Sequence, residues 1–190
     1  VPREELFEAT GNQFMRFNTL FQLLALAKRK SPILAQAETM LLMPNLFDFW
    51  FTGRKVTEFT IASTTQMLDP TTRNWAYDLL DKFSIRRELL TEIVEPGTVI
   101  GTVRPSITQE LGFEGAEIPV IVPASHDTGS AVAAVPTEEK DYVYISSGTW
   151  SLMGVEVMDP IVNEQTLANN FTNEGGVCGT YRFLKNIMGL

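Results

Sequence analysis

The sequence has very little cysteine or histidine: Cys178 and His126 are the only residues of their types among 190. A lone cysteine forms no internal disulfide, and one residue of each type cannot build a zinc site by the usual Cys/His route. Magnesium bound by carboxylates and phosphates is then the metal chemistry that the composition favours. Pro44 and Asp48 interrupt the longest apolar stretches, which are too short to span a membrane, and no secretory signal opens the chain. We therefore expect a protein of the reducing cytoplasm without a membrane partner.

Positive charge is also scarce, since 15 Lys and Arg stand against 23 Asp and Glu and the net charge is −8. Such a surface repels a phosphate backbone, so we expect no nucleic-acid partner. No glycine is followed by lysine, which excludes a P-loop. The glycines of residues 175–179 lack the spacing of a dinucleotide-binding fingerprint, and this segment is interpreted as a flexible loop. Any contact with ATP must therefore use another architecture.

Along the chain, segments with apolar residues at helical spacing alternate with short apolar runs bounded by Gly and Pro. This is the pattern of an α/β protein. The pattern predicts helices over residues 2–10, 19–30, 44–51, 105–111 and 181–190, and strands over 39–43, 120–122, 142–145 and 151–157. The polar stretch 136–141 is the candidate domain boundary. It divides the chain into residues 1–137 and 138–190.

Asp127 is the strongest candidate for a chemical role. It follows the predicted strand at 120–122 and precedes a helix rich in alanine. Open α/β sheets bind ligands at the carboxyl ends of their strands, and a carboxylate at a helix N-terminus is favoured in its ionised form. Asp127 is therefore placed to accept a proton. The alternative is that Asp127 only caps the helix, which on local sequence alone is the more common role.

His126, between Ser125 and Asp127, also suggests a Ser-His-Asp hydrolase. Side chains of consecutive residues in an extended loop point in different directions, whereas a catalytic triad needs three converging groups. The G-x-S-x-G turn that presents a nucleophilic serine is absent from the sequence. We therefore expect His126 to be either structural or a contact for a substrate hydroxyl.

The Ser-Ser-Gly-Thr segment at residues 146–149 lies between the two β-rich runs and predicts a hairpin turn. Its hydroxyls and backbone N–H groups can form an anion site, although most such turns have no ligand. Cys178 has no basic or histidine neighbour in sequence, so we expect no redox or nucleophilic role for it.

Eight segments together resemble the FGGY carbohydrate kinases, over essentially all 190 residues. They are TGNQF (10–14), NTL (18–20), ASTTQ (62–66), VEPGT (94–98), ASHDT (124–128), SSGTWS (146–151), NFTNEGG (170–176) and KNIMGL (185–190). The last three are typical of the branch of the family that acts on L-rhamnulose.

The resemblance implies a ribonuclease-H-like (actin-like ATPase) α/β fold of two lobes with the active site in the cleft between them. Residues 1–137 would form the later part of the first lobe, and residues 138–190 the start of the second. By position in the family's motifs, Asp127 is the catalytic base, and His126, Thr128 and Asn186 contact the sugar. Thr149 contacts the phosphates of ATP.

The implied activity is the ATP- and Mg²⁺-dependent phosphorylation of L-rhamnulose at its 1-hydroxyl, giving L-rhamnulose 1-phosphate and ADP. The family's first phosphate-binding turn and its adenosine-binding glycines lie outside this sequence, so we expect these 190 residues alone to be inactive. The alternatives are a related kinase acting on L-fuculose, D-xylulose or glycerol, and a non-catalytic actin-like binding module. The sequence makes no prediction of the oligomeric state.

Overall fold

Short helices and short strands alternate along the chain, and the computed structural model describes residues 1–139 and 141–189. The helices are, in chain order, α1 (Arg3–Thr10), α2 (Thr19–Lys28), α3 (Pro32–Gln36), α4 (Met43–Thr52), α5 (Phe59–Ala62), α6 (Tyr77–Lys82), α7 (Pro105–Glu110), α8 (Asp127–Ala133) and α9 (Glu164–Ala168). The strands are β1 (Val56–Glu58), β2 (Leu68–Asp69), β3 (Asn74–Trp75), β4 (Glu92–Val94), β5 (Val99–Thr102), β6 (Pro119–Ile121), β7 (Tyr144–Ser147), β8 (Trp150–Val157), β9 (Thr172–Gly175) and β10 (Tyr181–Gly189). Within these ranges, no helix is both long and apolar enough to cross a membrane.

The largest sheet is antiparallel, with the strand order β7-β8-β10-β9. β1 and β4 pair in parallel, whereas β2 pairs with β3, and β5 with β6, in antiparallel fashion. The β7–β8 hairpin confirms the turn predicted at residues 146–149. The mixture of helices with parallel and antiparallel strands confirms the α/β class.

Glycine and proline set the helix ends where the sequence predicted them. α1 ends at Gly11, whose φ of 62° is left-handed and whose N–H donates to the Phe7 carbonyl at 2.6 Å. α4 carries Pro44 in its first turn and ends at Gly53, where φ is 82°. Glycine adopts this conformation without the steric cost of a Cβ atom, which is why it ends helices so often.

Two predicted elements were wrong. Residues 39–42 form no strand, and the backbone N–H of Met40 makes only an isolated hydrogen bond of 2.7 Å to the Leu89 carbonyl before α4 begins. Residues 181–189 form the strand β10 instead of a helix, while Leu190 lies outside the described residues. β10 lies between β8 and β9, so ladder hydrogen bonds on both edges outweigh the helical spacing of its apolar residues.

The main hydrophobic core joins side chains of α1, α2, α5 and α6 to Tyr181 of β10. The rings of Phe59 and Tyr181 pack edge to face with their centroids 5.8 Å apart. The backbone N–H and the Nδ2 of Asn173 both donate to the Gly11 carbonyl, each at 3.0 Å. The strands β9 and β10 are therefore held against the helices that precede them, and the lobe boundary at residues 137 and 138 stays a prediction.

Gly154 provides a test of the packing in the large sheet. A Cβ added there would lie 2.6 Å from Leu184 Cβ and 2.8 Å from the Phe183 carbonyl oxygen. We expect Gly154→Ala to lower the free energy of unfolding by about 2 kcal/mol because the backbone must shift. The matched control is Gly148→Ala, where an added Cβ has nothing within 4 Å. Chemical denaturation measures the free energy of unfolding of both variants. Equal values for the two would contradict the close packing of Gly154 against Leu184 and Phe183.

Candidate active site

A cavity of about 490 Å³ opens where the segment after α1, the start of α8 and the β7–β8 hairpin meet. His126, Asp127, Thr128 and Thr149 all line this cavity, so the structure brings four of the five predicted site residues together. Asn186 is not among its lining residues. Asn186 lies on β10 opposite Leu152 and is half-buried.

Asp127 presents an unobstructed carboxylate to this cavity, with 97% of its side chain exposed. It is the first residue of α8, and the N-cap position belongs to His126, whose side chain makes no capping hydrogen bond. The Asp127 Oδ1 accepts a hydrogen bond only locally, from the Thr128 N–H at 2.7 Å and more weakly from the Thr128 hydroxyl at 3.4 Å. Asp127 therefore lies one position past the N-cap, and apart from the contacts with Thr128 its carboxylate is open to the cavity.

The backbone just before Asp127 is anchored by Glu58, which is fully buried at the end of β1. One carboxylate oxygen of Glu58 accepts hydrogen bonds from the Ser125 N–H at 3.0 Å and the Ile61 N–H at 3.1 Å. The Thr60 N–H donates to the other oxygen at 2.8 Å. The Thr60 hydroxyl in turn accepts from the His126 N–H at 3.1 Å. A buried carboxylate and a buried hydroxyl thus fix the loop that carries Asp127.

The imidazole of His126 is 19% exposed and faces two charged side chains of the large sheet. Its Nδ1 lies 3.2 Å from Arg182 Nη2 and 3.9 Å from Glu174 Oε2. Burial lowers the pKa of His126, and the Arg182 charge adds to this, against the opposite effect of the neighbouring carboxylates. His126 is therefore held mainly in its neutral form.

The geometry is not that of a Ser-His-Asp triad. His126 Nδ1 is 3.9 Å from Asp127 Oδ1, which is beyond hydrogen-bond distance. The Ser125 hydroxyl donates to the Pro123 carbonyl at 3.3 Å rather than to the imidazole. A hydrolase of that type needs all three groups in contact, so the structure supports the rejection made from the sequence.

The β7–β8 hairpin contributes hydroxyls on the opposite side of the cavity. Ser147 Oγ and Ser151 Oγ share a hydrogen bond of 2.7 Å across the hairpin. The Gly148 N–H donates to the Trp150 carbonyl at 2.7 Å, so this N–H is already used by the turn. Trp150 also packs edge to face on Phe17, with centroids 5.7 Å apart. The hairpin therefore offers the Thr149 side chain to the cavity, whereas the Gly148 N–H is not available to an anion.

The sequence did not predict a role for Glu58, Glu174 or Arg182. Glu174 lines the cavity, whereas Glu58 and Arg182 support it without lining it. Glu58 follows a short apolar run, and an acidic residue there gives only the ordinary signal of a helix cap. Glu174 lies within the NFTNEGG segment, but nothing local shows that it lines the cavity. Arg182 falls in the segment that was predicted to be helical, which concealed its position on a central strand.

The fold defines the chain as part of a carbohydrate-kinase architecture. A xylulose kinase from Lactobacillus acidophilus superimposes with a TM-score of 0.83 at 24% identity, covering 96% of this chain and 36% of that one. A xylulose kinase from Rhodospirillum rubrum gives 0.83 at 18% identity, with coverages of 100% and 38%. Plasmodium falciparum glycerol kinase with ADP gives 0.80 at 15% identity, with coverages of 100% and 38%. At these identities the likeness shows the fold alone, and it confirms the predicted actin-like fold.

Residues 2–134 match the sequence model of the FGGY family of carbohydrate kinases, N-terminal domain. The chain therefore belongs to the FGGY family of carbohydrate kinases. Curated relatives that match it include the rhamnulokinase of Oceanobacillus iheyensis, 46% identical over 190 residues, and that of Bacteroides thetaiotaomicron, 47% identical over 190 residues. Both matches cover 100% of this chain, but only 40% and 39% of the relatives. The chain thus spans about two fifths of the length of the curated relatives it matches.

Proposed function

We propose that the protein carrying this chain transfers the γ-phosphoryl group of ATP to the 1-hydroxyl of L-rhamnulose, with Asp127 as the catalytic base. The observation that carries the proposal is the exposed Asp127 carboxylate, which lines one cavity together with the Thr149 hydroxyl. The rhamnulokinase names of relatives at 46% and 47% identity support the choice of sugar. The reaction suits the cytoplasm that the sequence predicts, where ATP is available.

The assignment of roles follows from the chemistry of phosphoryl transfer, in which the protein mostly positions groups and stabilises charge. Asp127 accepts the proton of the attacking hydroxyl as the oxygen–phosphorus bond forms. His126 and Thr128 contact the sugar on either side of the base. Asn186 stays a predicted sugar contact, although it does not line this cavity. Thr149 holds an oxygen of the phosphates. Correct alignment of donor and acceptor then supplies much of the rate enhancement.

ATP and Mg²⁺ are the implied cofactors, and the hairpin residues fit them. Mg²⁺ prefers oxygen ligands and in kinases is held largely by phosphates and water. In the described ranges, no group of three His, Cys, Asp or Glu residues is arranged to hold a metal ion. Thr149 and Ser147 of the hairpin line the cavity and would lie near an ion held by the phosphates. The ion supplies charge neutralisation on the phosphates when bound. Holding the nucleotide at the hairpin would leave Asp127 free for the sugar.

The isolated 190 residues are proposed to be inactive. The resemblance implies that the family's first phosphate-binding turn and its adenosine-binding glycines lie outside this sequence, and the chain spans about 40% of the length of its relative. The assay therefore uses a protein in which this chain is joined to the remaining length found in its relatives, here termed the full-length protein. Measurable ATP-dependent phosphorylation by the 190 residues alone would contradict this part of the proposal.

The substrate is tested by ADP release from the full-length protein with L-rhamnulose, L-fuculose, D-xylulose and glycerol. We expect the highest kcat/KM with L-rhamnulose. A higher kcat/KM with D-xylulose or glycerol would change the proposed substrate but keep the proposed phosphoryl transfer. Solved xylulose and glycerol kinases have the same fold. ADP release with none of the four would favour a non-catalytic module and overturn the proposal.

A further inference from the structure

Arg182 is fully buried on β10, and its guanidinium lies beside Gly175, Glu174 and His126. Its Nε donates to the Gly175 carbonyl at 3.0 Å. Its Nη2 lies 3.1 Å from Glu174 Oε2 and 3.2 Å from His126 Nδ1. The guanidinium therefore lies close to both a carboxylate and an imidazole, beside the Nδ1 edge of the ring.

This contact decides which ring nitrogen of His126 carries the proton. A guanidinium is always charged and only donates hydrogen bonds. His126 Nδ1 must then be the acceptor, so the proton of the neutral ring lies on Nε2. Within the described residues no hydrogen bond reaches Nε2, and His126 lines the cavity. The ring thus has a free N–H donor available for a ligand.

The surrounding charges agree with a neutral ring. The charges of Glu174 and Arg182 balance each other beside the imidazole, and the carboxylates of Asp127 and Glu58 are the other charged groups that act on it. Protonation of His126 would turn Nδ1 into a donor facing the Arg182 donor. It would also add a charge where burial already lowers the pKa of His126.

We propose that Arg182 and Glu174 are positioning residues that fix His126 as its Nε2–H tautomer, so that the imidazole donates a hydrogen bond to an oxygen of the substrate. The identity of the substrate rests on the proposed function, whereas the tautomer does not. Glu174 pairs with the guanidinium of Arg182, and the guanidinium selects the tautomer of His126. In that tautomer, the Nε2–H of His126 is a hydrogen-bond donor for a ligand in the cavity. None of the three residues needs to change its charge during the reaction.

Removing the guanidinium of Arg182 should move the proton of the neutral His126 ring from Nε2 to Nδ1. In Arg182→Met, the nearest charged groups to Nδ1 are Glu174 Oε2 and Asp127 Oδ1, both at 3.9 Å and both acceptors. At a pH where the ring is neutral, the proton then favours Nδ1, and Nε2 becomes an acceptor. A sugar oxygen that accepts from Nε2 in the wild type would lose this hydrogen bond. A loss of 1.4 kcal/mol corresponds to about a tenfold rise in the KM for the sugar.

The test is nitrogen-15 NMR of the imidazole groups in the full-length protein, with His126→Gln used to assign the signal. We expect a protonated Nε2 and an unprotonated Nδ1 in the wild type, and the reverse in Arg182→Met. The matched control is Arg73→Met, since Arg73 is an arginine packed on Phe59 that pairs with Glu95 rather than with Glu174 or His126. Arg73→Met should keep the wild-type tautomer. A protonated Nδ1 in the wild type would overturn the inference, whether or not any Arg182 variant folds.

Kinetics separate this inference from the proposed function. Arg182→Met should raise the KM for the sugar about tenfold and leave the KM for ATP unchanged. Arg182→Lys keeps a charged donor and should restore part of the difference. A protein that phosphorylates no sugar but shows the Nε2–H tautomer would refute the proposed function and support the tautomer. An active kinase with the Nδ1–H tautomer would support the proposed function and refute the inference about the tautomer.

Discussion

Replacing Asp127 with asparagine in the full-length protein is expected to lower kcat for the sugar by about 10²-fold to 10⁴-fold. Asparagine keeps the shape of the side chain and its contact with the Thr128 N–H, but it cannot accept the proton of the attacking hydroxyl. The Asp127 side chain is 97% exposed, so the substitution should leave the stability of the fold almost unchanged. ADP release measures kcat, and calorimetry measures the Kd for ATP, which should change little.

The matched control is Asp78→Asn. Asp78 is an exposed acidic residue in the first turn of α6, as Asp127 is in the first turn of α8, but it does not line the cavity. The control should keep normal turnover, which separates the loss of a base from the general loss of a negative charge at a helix N-terminus. Near-normal turnover in Asp127→Asn would remove Asp127 from the role of base.

The sequence predicted the elements whose ends depend on local chemistry. Gly11 and Gly53 end α1 and α4 because each adopts a left-handed φ, and Pro105 opens α7 because a helix needs no N–H at its first position. These signals need only a few neighbouring residues. The same holds for the β7–β8 hairpin, where small polar residues separate two β-rich runs.

The error at β10 has a physical cause that no local pattern contains. Leu184, Ile187 and Met188 are spaced by three and four residues, which suits one face of a helix. The segment forms a strand because β8 and β9 supply partners on both edges. The partners on β8 lie 24 (Tyr181–Val157) to 39 (Gly189–Trp150) positions away in sequence, so the periodicity of the segment itself does not reveal them.

The candidate site likewise contains residues that the local sequence predicts and residues that it does not. His126, Asp127 and Thr128 are consecutive, so a loop between a strand and a helix suffices to bring them together. The groups behind them are distant in sequence: Glu58 reaches Ser125 across 67 positions, and Arg182 reaches His126 across 56. Only the packing of the sheets shows these contacts.

Glu58→Gln is expected to lower the free energy of unfolding by about 3 kcal/mol and to lower kcat of the full-length protein about tenfold. The amide group of glutamine would place a donor against N–H and hydroxyl groups that now donate to the carboxylate. Buried donors without acceptors are costly, and the remaining hydrogen bonds lose the strength that a charged acceptor gives them. Chemical denaturation gives the stability, and turnover is compared at a temperature where both proteins are fully folded.

The control for stability is Glu92→Gln on the neighbouring strand β4. Glu92 pairs in register with Val56 of β1, but its side chain is 65% exposed and forms only a surface ion pair with Arg54. Such pairs contribute little, so the control should stay within about 0.5 kcal/mol of the wild type. Equal effects at Glu58 and Glu92 would contradict the anchoring role of the buried carboxylate.

The combination of Glu58→Gln with Asp127→Asn decides how Glu58 affects turnover. If Glu58 acts by holding the backbone at Ser125, and through it the carboxylate of Asp127, its effect depends on that carboxylate being the base. Once Asp127 is asparagine, the second substitution should cost much less than tenfold, because residues that act as a unit are not additive. A full tenfold loss in the double variant would show that Glu58 influences the reaction by a route that does not pass through Asp127.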